Sequence, residues 1–95
     1  MIEDINIKIK NLELRKVYED FSKYKYEIVK WVKSDRGDYC YTIAFIDIDK
    51  KDNEFDVRST GMRPWDLEKE EKEYFDNLIR IFNFIVRGKF ISDAD

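Results

Sequence analysis

Ten residues in the middle of the chain constrain its fold more than any others. Tyr39 to Ile48 reads Tyr-Cys-Tyr-Thr-Ile-Ala-Phe-Ile-Asp-Ile, dense in β-branched and aromatic side chains and free of glycine and proline. Such a run is a strand. Strict alternation sets Tyr39, Tyr41, Ile43 and Phe45 on one face and Cys40, Thr42, Ala44, Ile46 and Ile48 on the other. Both faces are largely apolar, so the strand is expected at the centre of a sheet.

The flanking segments supply its neighbours. Lys25 to Lys33 predicts a second strand, with Tyr26, Ile28 and Val32 on one face and Val29 and Trp31 on the other. Ser34-Asp35-Arg36-Gly37-Asp38 supplies turn formers between the two, with Gly37 free to take a positive φ. A turn at Lys50–Asn53 leads into a third antiparallel strand, Phe55 to Thr60, with Phe55 and Val57 inward. Nearer the N-terminus, Ile5, Ile7 and Ile9 alternate with polar residues and predict a further strand. From Leu12 the spacing changes. Leu14, Val17 or Tyr18, Phe21 and Tyr24 fall three or four apart, which predicts a short amphipathic helix.

At the other end, Gly61 and Pro64 punctuate a connection and Asp66 is the expected N-cap of a long helix. Glu68, Glu70 and Glu71 put negative charge in its first turn, where the helix dipole favours it. Leu67, Glu71, Tyr74, Phe75, Leu78, Ile79, Phe82, Ile85 and Val86 form its broad inward face, and Gly88 is expected just past its end. The expected architecture is α+β: a three- to four-stranded antiparallel sheet packed against a long C-terminal helix, with a short helix near the N-terminus. Residues 1–91 are read as a single domain and 92–95 as a short acidic tail.

Composition narrows the function classes. The 95 residues include seven Phe, six Tyr and two Trp, no histidine and one cysteine, Cys40. A chain this short buries about 60–65% of its unfolded surface, so the aromatics are needed to fill a thin core. Without histidine, Ser22, Ser34, Ser59 and Ser92 have no imidazole base to activate them. One cysteine and no histidine exclude the usual zinc sites, and three scattered glycines make no phosphate loop. Asp47-x-Asp49 followed by Asp52 has calcium-loop spacing, but Lys51, Asp52 and Arg58 stand where a ligand, a glycine and the terminal glutamate are required. No catalytic residue, metal or cofactor is therefore assigned, and the chain is read as a non-enzyme. The acidic start Met1-Ile2-Glu3-Asp4 and the lack of a long apolar run predict a cytoplasmic protein without a membrane partner.

Charge is where the sequence points to a function. The net charge of −3 resolves into +2 over residues 1–36, −6 over 37–78 and +1 over 79–95. Asp47, Asp49, Asp52, Glu54 and Asp56 surround one turn, and Asp66, Glu68, Glu70, Glu71, Glu73 and Asp76 crowd the start of the last helix. If the two groups adjoin, they make a negative surface that fits a basic groove on a partner. The expected partner-binding residues are Asp52, Glu54, Asp56, Arg63, Trp65, Asp66, Glu68, Glu70, Glu71 and Glu73. Arg63 and Trp65 are the residue types enriched at binding hot spots. The simpler account is a dipole-favoured helix start, a polar turn and a Trp that staples the helix entry.

A first alternative rests on Lys23-Tyr24-Lys25-Tyr26 and Lys30-Trp31-Val32-Lys33, which interleave cations with aromatics as single-strand nucleic-acid binders do. The net negative charge of the chain weighs against direct nucleic-acid binding, and lysines that protect a sheet edge account for the same residues. A second is a homodimeric structural protein that pairs through an exposed strand edge or the aromatic face. The run Tyr39-Cys-Tyr-Thr-Ile-Ala-Phe, with Phe55-Asp-Val-Arg-Ser-Thr-Gly-Met-Arg-Pro-Trp-Asp-Leu, resembles small accessory proteins of bacteriophages and mobile elements, over roughly residues 25–88. That resemblance implies an inhibitor of host defence, of the anti-CRISPR kind, acting in the host cytoplasm on a protein or nucleoprotein complex with a basic surface.

Overall fold

The computed structural model describes residues 5–49, 54–58 and 67–89. Five strands run in chain order across one antiparallel sheet: β1 (Asn6–Ile9), β2 (Leu12–Glu19), β3 (Lys23–Val32), β4 (Tyr39–Asp49) and β5 (Glu54–Arg58). One helix follows, α1 (Lys69–Lys89), so the class is α+β as expected. The sheet has five strands rather than three or four, because the segment expected as a short helix is β2.

The reason lies in which residues of that segment are buried. Leu12 and Leu14 are wholly buried with a period of two, while Val17 and Tyr18 are about half exposed and Phe21 is 95% exposed. The three-and-four spacing was therefore no inward stripe. Asn11 and Lys10 close a two-residue hairpin that sets Ile9 opposite Leu12 and Ile7 opposite Leu14. Lys10 takes a φ of 55°, the left-handed region, at the first loop position. Primed hairpin turns require that sign of φ, and it costs a non-glycine residue about 1–2 kcal/mol. The next turn is held by Asp20, whose carboxylate accepts from the Ser22 and Lys23 N–H groups, the Ser22 hydroxyl and the Tyr18 hydroxyl at 2.7–2.9 Å. Those bonds, Tyr18's foremost, lower the Asp20 pKa well below the usual carboxylate range. Gly37 has the expected positive φ, 117°, in the β3–β4 turn.

One face of the sheet lies under α1. Leu12, Leu14, Tyr26, Ile28, Ile43, Ile46 and Ile48 pack there against Leu67, Leu78, Phe82 and Val86. The Phe82 ring meets Tyr26 edge-on at 4.8 Å between centroids. The inward face of α1 is thus the one its periodicity predicts, although the helix runs through Gly88 to Lys89 instead of ending before it.

The faces of β4 differ from strict alternation. The pairing with β3 shifts between Ile28–Ala44 and Val29–Thr42, so Ile43 is an inserted residue. This bulge turns Tyr41 and Ile43 toward the core together with Ile46 and Ile48. Phe45 goes to the opposite face, where Lys25 Nζ stands 4.6 Å from its ring centroid. In β5 the register sets Phe55 opposite Ile48 and Val57 opposite Ile46. Ile48 and Ile46 belong to the core. The expected turn at Lys50–Asn53, the N-cap Asp66 and the tail 92–95 lie outside the described residues.

Candidate functional site

The acidic helix start divides into one structural residue and several exposed ones. Glu68 occupies the cap position before Lys69, and Glu71 Oε1 accepts the Glu68 N–H at 2.9 Å, the back-reaching half of a capping box. The same carboxylate accepts from Asn11 Nδ2 at 2.7 Å and from Lys30 Nζ at 2.9 Å. The side chains of this ion pair are 14% and 13% exposed. Burial alone would raise the Glu71 pKa, but the Glu68 amide, Asn11 and Lys30 together outweigh it and lower the pKa. Glu71 joins α1 to β3 and to the β1–β2 turn, and three donors share its carboxylate. Lys30, counted among the nucleic-acid candidates, is the other half of that joint. Glu68, Glu70 and Glu73 are exposed, with Lys69 and Lys72 set among them.

The second acidic group is elsewhere. Lys23 pairs opposite Asp49 and Lys25 opposite Asp47, while the β4–β5 register sets Asp56 opposite Asp47 and Glu54 opposite Asp49. Lys23 and Lys30 are seven residues apart on β3, about 23 Å at 3.3 Å per residue. Among the described residues, the acids of β4–β5 and Glu71 therefore lie toward opposite ends of β3. Asp52, Arg63, Trp65 and Asp66 lie outside the described residues.

The sheet face away from α1 carries a hydrogen-bonded set of polar side chains. Glu13 accepts from Trp31 Nε1 and Asn6 Nδ2, both at 2.9 Å. Burial would raise the Glu13 pKa, but these bonds and the charges of Arg15 and Lys8 lower it. One strand over, Glu27 accepts from Arg15 Nε and from the Thr42 hydroxyl, each at 2.8 Å. Arg15 Nη2 also lies 3.8 Å from Cys40 Sγ.

At the hairpin end of this face is a groove of about 420 Å³ lined by Lys8, Lys10, Asn11, Trp31, Lys33 and Asp38. Its walls are tied together, since the Trp31 N–H donates to the Asn11 carbonyl at 2.8 Å. The bond from Nε1 to Glu13 fixes the plane of the indole, and Lys8 Nζ stands 6.0 Å from the ring centroid. Among the described residues neither Lys10 nor Lys33 takes part in an ion pair. Sequence reasoning singled out Trp31 and Lys33 and missed Lys8 and Lys10. Only the β1–β2–β3 register reveals that residues more than twenty positions apart share one groove. Among the described residues no three acidic or cysteine side chains converge as a metal site, and no helix is long and apolar enough to cross a membrane.

Comparison with protein-family models, with curated proteins and with solved structures gives no match.

Proposed function

We propose that this chain is a non-enzymatic binding protein that docks its acidic β4–β5 corner onto a host protein or nucleoprotein complex with a basic surface. The observation that carries the reading is the register of that corner. Asp47 opposite Asp56 and Asp49 opposite Glu54 are two successive like-charge rungs at the sheet's edge. Directly opposed like charges weaken a sheet, and a cationic partner relieves them. Lys25 and Lys23 on β3 offset one charge per row, which leaves each row of three at −1. The resemblance to phage and mobile-element accessory proteins points to a defence complex that handles nucleic acid as the partner. The exposed Glu68, Glu70 and Glu73 stand at the start of α1 and are not part of this corner, and Glu71 is tied to Lys30 and Asn11.

The test is expression of the chain in a bacterium with an active nucleic-acid-degrading defence, scored by plating efficiency of a targeted phage. The intact chain is expected to raise plating, and Asp49→Lys to abolish the gain while keeping the fold, because Asp49 is exposed at a strand end. Equal plating with and without the chain, across several defence types, rules the inhibitor reading out. A gain that survives Asp49→Lys removes the acidic corner from it.

A further inference from the structure

We infer that the groove at the β1–β2 hairpin is a binding site for single-stranded nucleic acid, with Trp31 as the stacking platform and Lys8, Lys10 and Lys33 as the phosphate contacts. Three cations and one carboxylate, Asp38, line it, and with the Glu13 carboxylate that holds the indole the local charge is +1 in a chain whose net charge is −3. Single strands are bound by this pairing of chemistries: cations that track phosphates, and an aromatic face on which a base stacks whatever its identity. The volume of about 420 Å³ falls in the range of sites that hold one small ligand, roughly 300–1,000 Å³. A base with its phosphate fits that scale.

Two details separate this groove from an ordinary lysine-bearing edge. The Nε1 bond to Glu13 holds the indole and the main-chain N–H bond to the Asn11 carbonyl holds the backbone that carries it, so the ring is oriented before a ligand arrives. Lys8 Nζ stands over the ring at 6.0 Å from its centroid, so a stacking base displaces this flexible, exposed ammonium toward the base's own phosphate. Lys10, moreover, carries its charge on a left-handed backbone that glycine would occupy without strain. The site is on a different part of the sheet from the acidic corner and has the opposite charge, so either can fail without the other.

The experiment titrates the full chain with an oligothymidylate of about 12 nucleotides, within the site sizes known for single-strand binders. It follows tryptophan fluorescence and anisotropy from about 50 to 200 mM salt. Saturable binding with quenching is expected, with a slope of log K against log salt of about −2 from three phosphate contacts. Lys33→Glu is expected to weaken binding at least tenfold, and Trp31→Phe to weaken it and remove the quenching. Lys10→Gly relieves the backbone while deleting a cation, so it should bind more weakly in a protein that unfolds no earlier. Separate arms use thymidine monophosphate, a duplex of the same length and an oligo-glutamate peptide. No binding at the lowest salt overturns the inference, as does binding untouched by Lys33→Glu and Trp31→Phe. Equal affinity for the mononucleotide or for the peptide overturns the assignment to a nucleic-acid strand.

Discussion

Glu71 shows how one side chain changes meaning between a list of charges and a folded chain. In the sequence it is one of six acids within eleven residues. In the structure it is the shared acceptor for the Glu68 amide, Asn11 and Lys30. Glu71→Ala is expected to destabilise the fold by about 2–3 kcal/mol, because Lys30 and Asn11 lose a charged acceptor in a half-buried site. Urea denaturation measures it, and Glu70→Ala, on the exposed side, should change stability by less than about 0.5 kcal/mol. The pH dependence has a definite sign. The folded-state pKa values of Glu71 and Glu13 are depressed, so the stabilisation they contribute is fully present above the usual carboxylate range. It is lost as the pH falls through the depressed values. Melting temperature should fall from about pH 5 downward, and Glu71→Gln should fall less steeply than the parent chain. An equal slope in the two proteins would remove Glu71 from the acid transition. The inward position of Glu71 was legible from the helical spacing, but its partners were not, because Asn11 and Lys30 are far from it in the chain and meet it only when α1 is laid on the sheet.

Elements were legible where burial and periodicity agree. The inward face of α1 and the turn at Gly37 follow the sequence directly, since the helix buries one continuous stripe and the turn needs a residue with φ above zero. β2 was misread because Leu14, Phe21 and Tyr24 imitate helical spacing although the tertiary structure buries Leu14 and leaves Phe21 in solvent. That difference can be measured. Leu14→Ala should cost roughly 2–5 kcal/mol, whereas Phe21→Ser should cost less than about 0.5. A helix with both residues on one face would make the two losses comparable. Phe82→Ala, which removes the ring packed on Tyr26, should cost about 3–5 kcal/mol and release α1 from the sheet. The bulge at Ile43 was equally invisible to an alternating pattern, because one inserted residue exchanges the faces of everything beyond it.

At the scale of the whole molecule the two faces of the sheet have different work. One is closed by α1, and the other presents a basic groove at the β1–β2 hairpin and an acidic corner at β4–β5. Substitutions at the two ends share no partners and should act independently. Asp49→Lys is expected to leave oligonucleotide affinity within about twofold of the parent, and Lys33→Glu to leave the plating assay unchanged. The homodimer expected as an alternative finds little support at β1, an edge of four residues bearing the exposed Lys8, the kind of edge that resists pairing. Sedimentation equilibrium should return 11.6 kDa across a wide concentration range, and a doubled mass at high concentration would restore the dimer. The sequence by itself determined the class of the fold, the strand-rich centre, the docking face of the last helix and the scarcity of catalytic groups. These depend on residue type and on short-range periodicity. Tertiary structure alone decided the fifth strand, the separation of the β4–β5 acids from Glu71 and the joining of Lys8 and Lys10 to Trp31 and Lys33. Those depend on strand register, which brings together residues that no local pattern relates.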